Sequence, residues 1–173
     1  IEFLNGTISG RALFVIDGLN ADAYILANKS GELFLIPSTS PGVEVIELTT
    51  VDKTRTSIEL KLNKAQAEIL PGSSDIQIIE KVIDAGRLML SADTVGAAQV
   101  MLDKSVAYSL ERKQFGRLIG SFQAVKHMCA EMAAELEPCH SMIWHTAHCL
   151  DNVPEESRLM ACHTKAHVSE VGK

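Results

Sequence analysis

The apolar and polar residues of this chain follow two different periods, one on each side of residue 72. Before it, short apolar runs at 13–16, 24–27 and 33–36 alternate with glycine, proline and asparagine, which is typical of β-strands joined by turns. The strict alternation over 58–63 predicts a strand with one face in water. Because no long helical run interrupts these strands, the pattern predicts an antiparallel sheet or a segment of a barrel.

A helical period begins after a Pro-Gly break, where Ser73, Ser74 or Asp75 can cap a helix. The first helix is predicted from Ile76 to about Arg112, because apolar residues recur there at helical spacing on one face. Those residues are Val95, Ala98, Leu102 and Val106. A helix of roughly 55 Å needs partner helices to bury such a stripe.

The second helix is predicted from about Phe122, with apolar residues at three- and four-residue spacing through Leu136. Pro138 is expected to kink or locally disrupt it. A turn at 151–154 separates it from a third helix, whose first turn contains two glutamates that suit the positive end of the helix dipole. The prediction is therefore an α+β fold in which a sheet is followed by long antiparallel helices.

Composition and charge narrow the class of protein. An apolar content of 46% with 22% charged residues is that of a globular protein. The net charge of -6 argues against a nucleic-acid partner, and no apolar run approaches the ~18 residues that span a bilayer. The four cysteines form no C-x-x-C pair, which predicts reduced thiols in a reducing compartment such as the cytoplasm or, in a eukaryote, the mitochondrial matrix.

Several histidines fall in the helical part of the chain, and two of them suggest a metal site. His163 and His167 are four residues apart, a spacing that suits zinc on one helix face. The run between them is H-T-K-A-H, without the glutamate of the zinc motif H-E-x-x-H, and no third ligand follows at a fixed spacing. We therefore predict no metal site in this chain.

The junction between the first two helices, residues 106–126, carries the most informative chemistry. A cation, an aromatic ring, a glycine and two amides fall close together there, at Arg112, Phe115, Gly116, Gln114 and Gln123. Arginine presents a planar fork to phosphate oxygens, and an aromatic ring can cover a flat base. The residues alone leave two interpretations open: a grip for a nucleotide diphosphate, or a helix end whose cations complement the dipole and whose glycine stops the helix.

The segment Y-S-L-E-R-K-Q-F-G-R-L-I-G-S-F-Q resembles a signature of the FAD-dependent acyl-CoA dehydrogenases, R-x-x-F-G-x-x-(I/L)-x-x-(F/H)-Q. In that family these residues hold the ADP half of an FAD that belongs to a neighbouring subunit. The matching residues are Arg112, Gln114, Phe115 and Gln123. The resemblance implies FAD as cofactor and a homo-oligomer, either a dimer or a tetramer.

The resemblance extends along nearly the whole chain. L-N-G-T, G-E-L-F-L-I-P and D-K-T-R resemble strands of the family's middle β domain, so residues 1–72 are expected to be part of that domain. Residues 73–173 are expected to be part of the C-terminal four-helix bundle, with one helix lacking. The family also has an N-terminal helical domain, and we therefore expect these 173 residues to be a fragment.

Near the start of the first helix, I-D-A-G-R places Asp84 and Arg87 three residues apart, where they can form an ion pair. The family has a similar F-D-x-x-R-P at this distance before its R-x-x-F-G run, with the aspartate and arginine facing the entrance for the acyl-CoA thioester. Leu88 stands in place of the family's proline. The resemblance thus implies that Asp84 and Arg87 contact the substrate.

The implied activity is oxidation of an acyl-CoA to the 2-enoyl-CoA, as in fatty acid metabolism, with electrons passed to an electron-transfer flavoprotein. A glutamate of the family removes the α-proton while FAD accepts the β-hydride. In most members that glutamate lies in the last part of the bundle, which these residues lack, and Gly86 occupies the alternative position. The resemblance therefore implies no catalytic residue in this chain, and the 173 residues alone are expected to be inactive. The alternative is a non-catalytic relative that binds CoA or FAD, or serves as an assembly partner.

The resemblance also points to a flavin contact in the sheet. Phe14 and Ile16 fall where the family has an aromatic residue and a threonine beside the isoalloxazine ring. The side chain of Ile16 cannot make the threonine's hydrogen bond.

Overall fold

The structure is a computed structural model that describes residues 1–73 and 75–173. Contacts divide the chain into two compact units, Ile1–Glu80 and Lys81–Lys173. The first unit contains the larger sheets and the second contains most of the helical residues. The domain boundary expected between residues 72 and 73 stays a prediction.

The strands of the first unit form two antiparallel sheets. They are β1 (Glu2–Leu4), β2 (Thr7–Ile16), β3 (Ala23–Ala27), β4 (Leu33–Pro37), β5 (Val43–Glu47), β6 (Ser57–Gln66) and β7 (Glu68–Ile69). The orders are β1-β2-β6-β5 and β3-β4-β7, and every pairing is antiparallel. The predicted antiparallel sheet is confirmed, and within residues 1–73 the strands do not close into a barrel.

The alternation along β6 explains why this strand lies at the centre of its sheet. Ile58, Leu60 and Leu62 are buried, whereas Lys61 and Asn63 are exposed. Burial of such side chains stabilises the fold by about 1.5–3 kcal/mol each. The inward residues join a core that also contains fully buried aromatic and aliphatic residues of β2 and β4, namely Ile8, Phe34 and Ile36.

The helices are α1 (Ile76–Glu111), α2 (Gln123–Asn152) and α3 (Pro154–Val171). The N-terminus of α1 is capped by Asp75, whose Oδ1 accepts a hydrogen bond from the N–H of Gln77 at 2.9 Å. Of the other two predicted caps, Ser73 instead donates its hydroxyl to the carbonyl of Leu70 at 2.6 Å, and Ser74 lies outside the described residues. No helix that the structure describes is long and apolar enough to span a membrane.

Pro138 does not interrupt α2, which is one helix through that position. The helix is therefore not broken there, and a kink at Pro138 stays a prediction. A proline removes one intrahelical hydrogen bond, but Leu136 and Cys139 on either side of it are buried in the helical core. We attribute the continuity of the helix to this packing.

The three helices pack in alternating directions around one core. Val95 of α1, Leu136 of α2 and Val168 of α3 are buried together. One cavity is lined by Leu88 and Leu150, and another by Leu102 and Leu136, so α1 and α2 run antiparallel. The predicted antiparallel helices are therefore observed.

The contact between α2 and α3 includes a buried polar pair. A single residue, Val153, separates the two helices, and the hydroxyl oxygens of Thr146 and Thr164 lie 2.7 Å apart. Both threonines are fully buried. One of the two hydroxyls therefore donates to the other in a place that no water reaches.

Candidate functional site

The junction after α1 is a small β-hairpin. Strand β8 (Lys113–Gln114) pairs with β9 (Arg117–Leu118), and Phe115 and Gly116 form the two-residue loop with φ values of 52° and 76°. Two successive left-handed residues are the mark of the type I′ turn, which suits the twist of a hairpin. Gly116 therefore serves this turn and does not end α1, which stops at Glu111.

The backbone of Arg112 connects the hairpin to the helix. Its N–H donates to the carbonyl of Tyr108 at 2.9 Å, which continues the last turn of α1, and its own carbonyl accepts from the N–H of Ile119 at 2.8 Å. The position of Arg112 is thus fixed by hydrogen bonds on both sides, while the residue is exposed. An arginine held in this way presents its guanidinium group to solvent or to a ligand.

A glycine brings the end of the hairpin against α1. A Cβ atom at Gly120 would lie 2.9 Å from the carbonyl oxygen of Ser109 and 3.0 Å from its Oγ. Such a contact leaves no room for a side chain. Ser109 is itself buried and donates its hydroxyl to the carbonyl of Val106 at 2.7 Å, so the hairpin rests on a firmly bonded turn of the helix.

Phe115 stands out at the tip of the hairpin because its side chain is 92% exposed. Its ring meets the ring of Phe122 edge to face, with the centroids 6.2 Å apart. The guanidinium carbon of Arg117 lies 4.0 Å above the other ring, that of Phe122, at a distance suited to a cation–π contact. An aromatic ring held with most of its surface in water is available to stack on a flat ligand.

The two amides are the sequence neighbours of these rings, since Gln114 precedes Phe115 and Gln123 follows Phe122. Gln114 belongs to β8, and Gln123 is the first residue of α2; both are exposed. The first N–H groups of a helix have no intrahelical partner and favour an anion, and the residue before α2, Phe122, contributes no side-chain cap. The structure therefore collects Arg112, Gln114 and Phe115 on one hairpin, with Gln123 at the helix terminus that follows it.

Sequence reasoning missed the roles of Arg117 and Phe122 in supporting this hairpin. In the sequence, Arg117 and Phe122 are only a cation and an apolar residue five positions apart. A short 3₁₀ turn at Ile119–Ser121 lies between the two residues, and no pattern in the sequence predicted it.

The second candidate pair lies near the other end of α1. Nη1 of Arg87 donates to Oδ1 of Asp84 at 2.5 Å, and the Asp84 side chain is 4% exposed against 32% for Arg87. The carbonyl of Arg87 also accepts the hydroxyl of Ser91 at 2.8 Å. At Gly86, between the paired residues, an added Cβ would meet nothing within 4 Å.

The sheet residues with an expected flavin contact are both exposed. Phe14 has a φ of 58° and lies where the pairing of β2 with β6 shifts, between Ala12 and Val15. Left-handed backbone at a bulky residue is uncommon outside turns and functional sites. Ile16, two residues later, is also exposed and lies beyond the bulge, where it pairs in register with Ser57.

The sequence of this chain is similar to that of known proteins. Residues 75–173 match the model of the acyl-CoA dehydrogenase C-terminal domain. Subunit CarC of the caffeyl-CoA reductase–Etf complex of Acetobacterium woodii is 30% identical over 95% of this chain and 47% of its own length. The mitochondrial short-chain specific acyl-CoA dehydrogenase of Bos taurus is 26% identical over 84% of this chain and 39% of its own.

The fold has close counterparts among solved structures. A glutaryl-coenzyme A dehydrogenase in complex with glutaryl-CoA superposes with a TM-score of 0.81 and 26% identity, over 95% of this chain and 46% of the other. The chain thus spans about half the length, or less, of these relatives.

Proposed function

This chain belongs to the acyl-CoA dehydrogenase family, and we propose that it is part of a flavoprotein that oxidises an acyl-CoA to the 2-enoyl-CoA. The observation that carries the proposal is the exposed hairpin after α1, with its anchored arginine and its outward phenyl ring. When bound, FAD supplies the hydride acceptor for this reaction. The names of the relatives, which include acyl-CoA and glutaryl-CoA dehydrogenases, support the substrate class.

The donor set of the hairpin fits the ADP half of FAD. The guanidinium group of Arg112 donates hydrogen bonds to the diphosphate as a planar fork. Phe115 covers a flat ring of the nucleotide, and the amides of Gln114 and Gln123 supply further hydrogen bonds. A ring that is 92% exposed gains apolar contact when a ligand covers it.

The length of α1 supports a cofactor shared between subunits. Asp84 and Arg112 lie near opposite ends of this helix, roughly 40 Å apart at about 1.5 Å per residue. A separation of this size favours a role for the two residues of one chain in two different binding sites. We propose a homo-oligomer, a dimer or a homotetramer, in which the hairpin of one copy holds the cofactor of its neighbour.

At the other end of α1, Arg87 and Asp84 line the entrance for the thioester. The buried carboxylate fixes one nitrogen of the guanidinium group, which leaves the remaining N–H donors for the substrate. Gly86 carries no carboxylate, so the base that removes the α-proton is supplied by residues outside this chain.

An electron-transfer flavoprotein is the proposed acceptor, supported by the Etf complex to which the CarC relative belongs. The four free cysteines support a reducing compartment, the cytoplasm or a mitochondrial matrix.

The test is FAD binding by the full-length protein. One charge-assisted hydrogen bond contributes about 1.5–3 kcal/mol, so Arg112→Ala should weaken FAD binding roughly ten- to a hundredfold. Arg112→Lys keeps the charge without the fork and should recover only part of the affinity. Lys113→Ala is the matched control, since it removes an exposed cation from the next position.

Two outcomes would reject parts of this proposal. If Arg112→Ala and the wild-type protein retain FAD equally well, Arg112 does not hold the diphosphate and acts only as a cation at the end of the helix. Full-length protein that binds FAD but does not turn over a panel of acyl-CoA esters with an artificial electron acceptor would favour the non-catalytic subunit, which the glycine at position 86 also suits.

A further inference from the structure

Three different donor side chains converge where α2 meets α3. His145 and Cys149 lie one turn apart on α2, and Glu156 lies in the first turn of α3. Nε2 of His145 and Sγ of Cys149 are 3.7 Å apart. A carboxylate oxygen of Glu156 completes the group, with all three atoms within 4.8 Å of one another.

The distance between the nitrogen of His145 and the sulfur of Cys149 is that of two ligands on a tetrahedral zinc ion. With Zn–N near 2.0–2.1 Å and Zn–S near 2.3 Å, a tetrahedral angle places the nitrogen and sulfur about 3.6 Å apart. The observed 3.7 Å agrees with this edge. The carboxylate oxygen of Glu156 lies within 4.8 Å of both atoms, and its exposed side chain has room to move toward them.

We propose that His145, Cys149 and Glu156 bind one Zn²⁺ ion at the turn between α2 and α3, a site separate from the proposed cofactor and substrate contacts. Binding releases the thiol proton of Cys149 to solvent and forms a Zn–S bond. The thiolate and the carboxylate together balance the two charges of the ion, and neutral imidazole completes the protein ligands. A fourth position remains for water.

The types of ligand atom at this site favour zinc over Mg²⁺ and Ca²⁺. Thiolate and imidazole ligands suit zinc, whereas Mg²⁺ and Ca²⁺ require mostly oxygen ligands. The ion would connect a residue fixed in the core, since Cys149 is fully buried, to the start of the next helix. Occupancy therefore holds the α2–α3 turn closed.

The histidine pair that the sequence singled out is the natural control. Within residues 1–73 and 75–173, the group of three donors does not include His163 or His167. Those two residues offer only a pair of nitrogens on one helix. Cys162, an exposed free thiol, controls for metal bound adventitiously by an accessible cysteine.

The experiment uses the full-length protein and Co²⁺ as the probe, with a difference spectrum against the same sample without cobalt so that other chromophores cancel. We expect a thiolate-to-cobalt charge-transfer band that saturates at one ion per chain and is removed by Zn²⁺. His145→Gln and Glu156→Gln, both at exposed positions, should each weaken cobalt binding at least about tenfold, because even supporting residues around a metal site contribute that much. Cys149→Ser should abolish the band.

Cobalt binding should be unchanged in two control proteins, the double variant His163→Gln/His167→Gln and the single variant Cys162→Ser. The proposal is overturned if the wild-type protein shows no band, if His145→Gln and Glu156→Gln bind as tightly as wild type, or if Cys162→Ser removes the band, which would mean an adventitious ion only. Because Cys149→Ser changes a buried residue, the two exposed variants decide the outcome if that variant fails to fold. As a second readout, a given concentration of Zn²⁺ should raise the Tm of the wild-type protein more than that of Glu156→Gln.

Discussion

Arg87 and Asp84 form a hydrogen-bonded ion pair, 2.5 Å between Nη1 and Oδ1, in which the carboxylate is buried and the cation is partly in water. The two partners therefore depend on each other unequally. Without Asp84, the guanidinium group of Arg87 can turn toward solvent. Without Arg87, the carboxylate of Asp84 loses its ion-pair partner in a site that water scarcely reaches.

This asymmetry predicts the order of two substitutions. Removing one partner of a buried pair typically costs 3–5 kcal/mol, and we expect Arg87→Ala to lower the free energy of unfolding by about 3 kcal/mol. Asp84→Asn keeps a hydrogen-bond acceptor and removes the charge, so we expect a loss of about 1 kcal/mol. Urea unfolding of both variants measures the difference, and equal losses would show that solvent reaches the carboxylate.

Gly120 lies too close to Ser109 for any side chain, which makes Gly120→Ala a test of how the hairpin is seated. We expect this variant to lose about 1–3 kcal/mol through overpacking and to bind FAD more weakly, because the hairpin shifts. Gly96→Ala is the matched control: Gly96 lies inside α1, with nothing within 4 Å of an added Cβ. It should gain about 0.5–1 kcal/mol. A stable Gly120→Ala variant with unchanged FAD affinity would contradict this account.

Phe115 occupies a backbone conformation that favours asparagine or glycine. A left-handed residue with a Cβ costs roughly 1–2 kcal/mol, so Phe115→Asn should leave the protein as stable or up to about 1 kcal/mol more stable. The same change removes a ring whose stacking on a base is worth about 1–3 kcal/mol, so FAD affinity should fall by roughly five- to a hundredfold. Calorimetry and flavin retention separate the two effects. Loss of both stability and flavin would show that the ring supports the fold.

The buried thiol of Cys139 should differ in reactivity from the exposed thiol of Cys162. Burial raises the pKa of Cys139, and the thiolate is the reactive form. At pH 8 we expect iodoacetamide to modify Cys162 and to spare Cys139 until the protein is unfolded. Peptide mapping by mass spectrometry measures the two rates, and similar rates in the folded protein would contradict the burial.

The raised pKa of Cys139 also makes the stability of the protein depend on pH. A thiol whose pKa is higher in the folded than in the unfolded state stabilises the fold below the unfolded value, about 8.5. That contribution is lost as the pH rises through the folded value. We therefore expect alkaline pH to weaken the helical core around Cys139, and Cys139→Ala should reduce this loss.

The sequence predicted the elements that rest on a regular period or on a local signal. Burial along β6 repeats every second residue because Ile58, Leu60 and Leu62 face one way, which is the pattern read from the sequence. Asp75 caps α1 because a short acidic side chain before a helical run can reach the free N–H groups. In each case the cause lies within a few residues.

The parts that the sequence did not predict depend on contacts without a local signal. The strands of the hairpin at Phe115 have two residues each, too few for a period, and phenylalanine is a poor residue for its turn. Glu156 approaches Cys149 only because α3 folds back onto α2 after one residue. The outward bulge at Phe14 follows from the pairing of β2 with the distant strand β6.

That pairing also sets the order in which the chain can fold. Strand β2 lies between β1 and β6, so the growing chain must expose one edge of β2 until Ser57 and the residues after it are synthesised. Long-range strand pairing is slow because a large loop must close first. The turn at Val153, in contrast, lets α2 and α3 meet as soon as both exist. During synthesis the sheet, and not the helices, is therefore the part most exposed to mispairing with other chains.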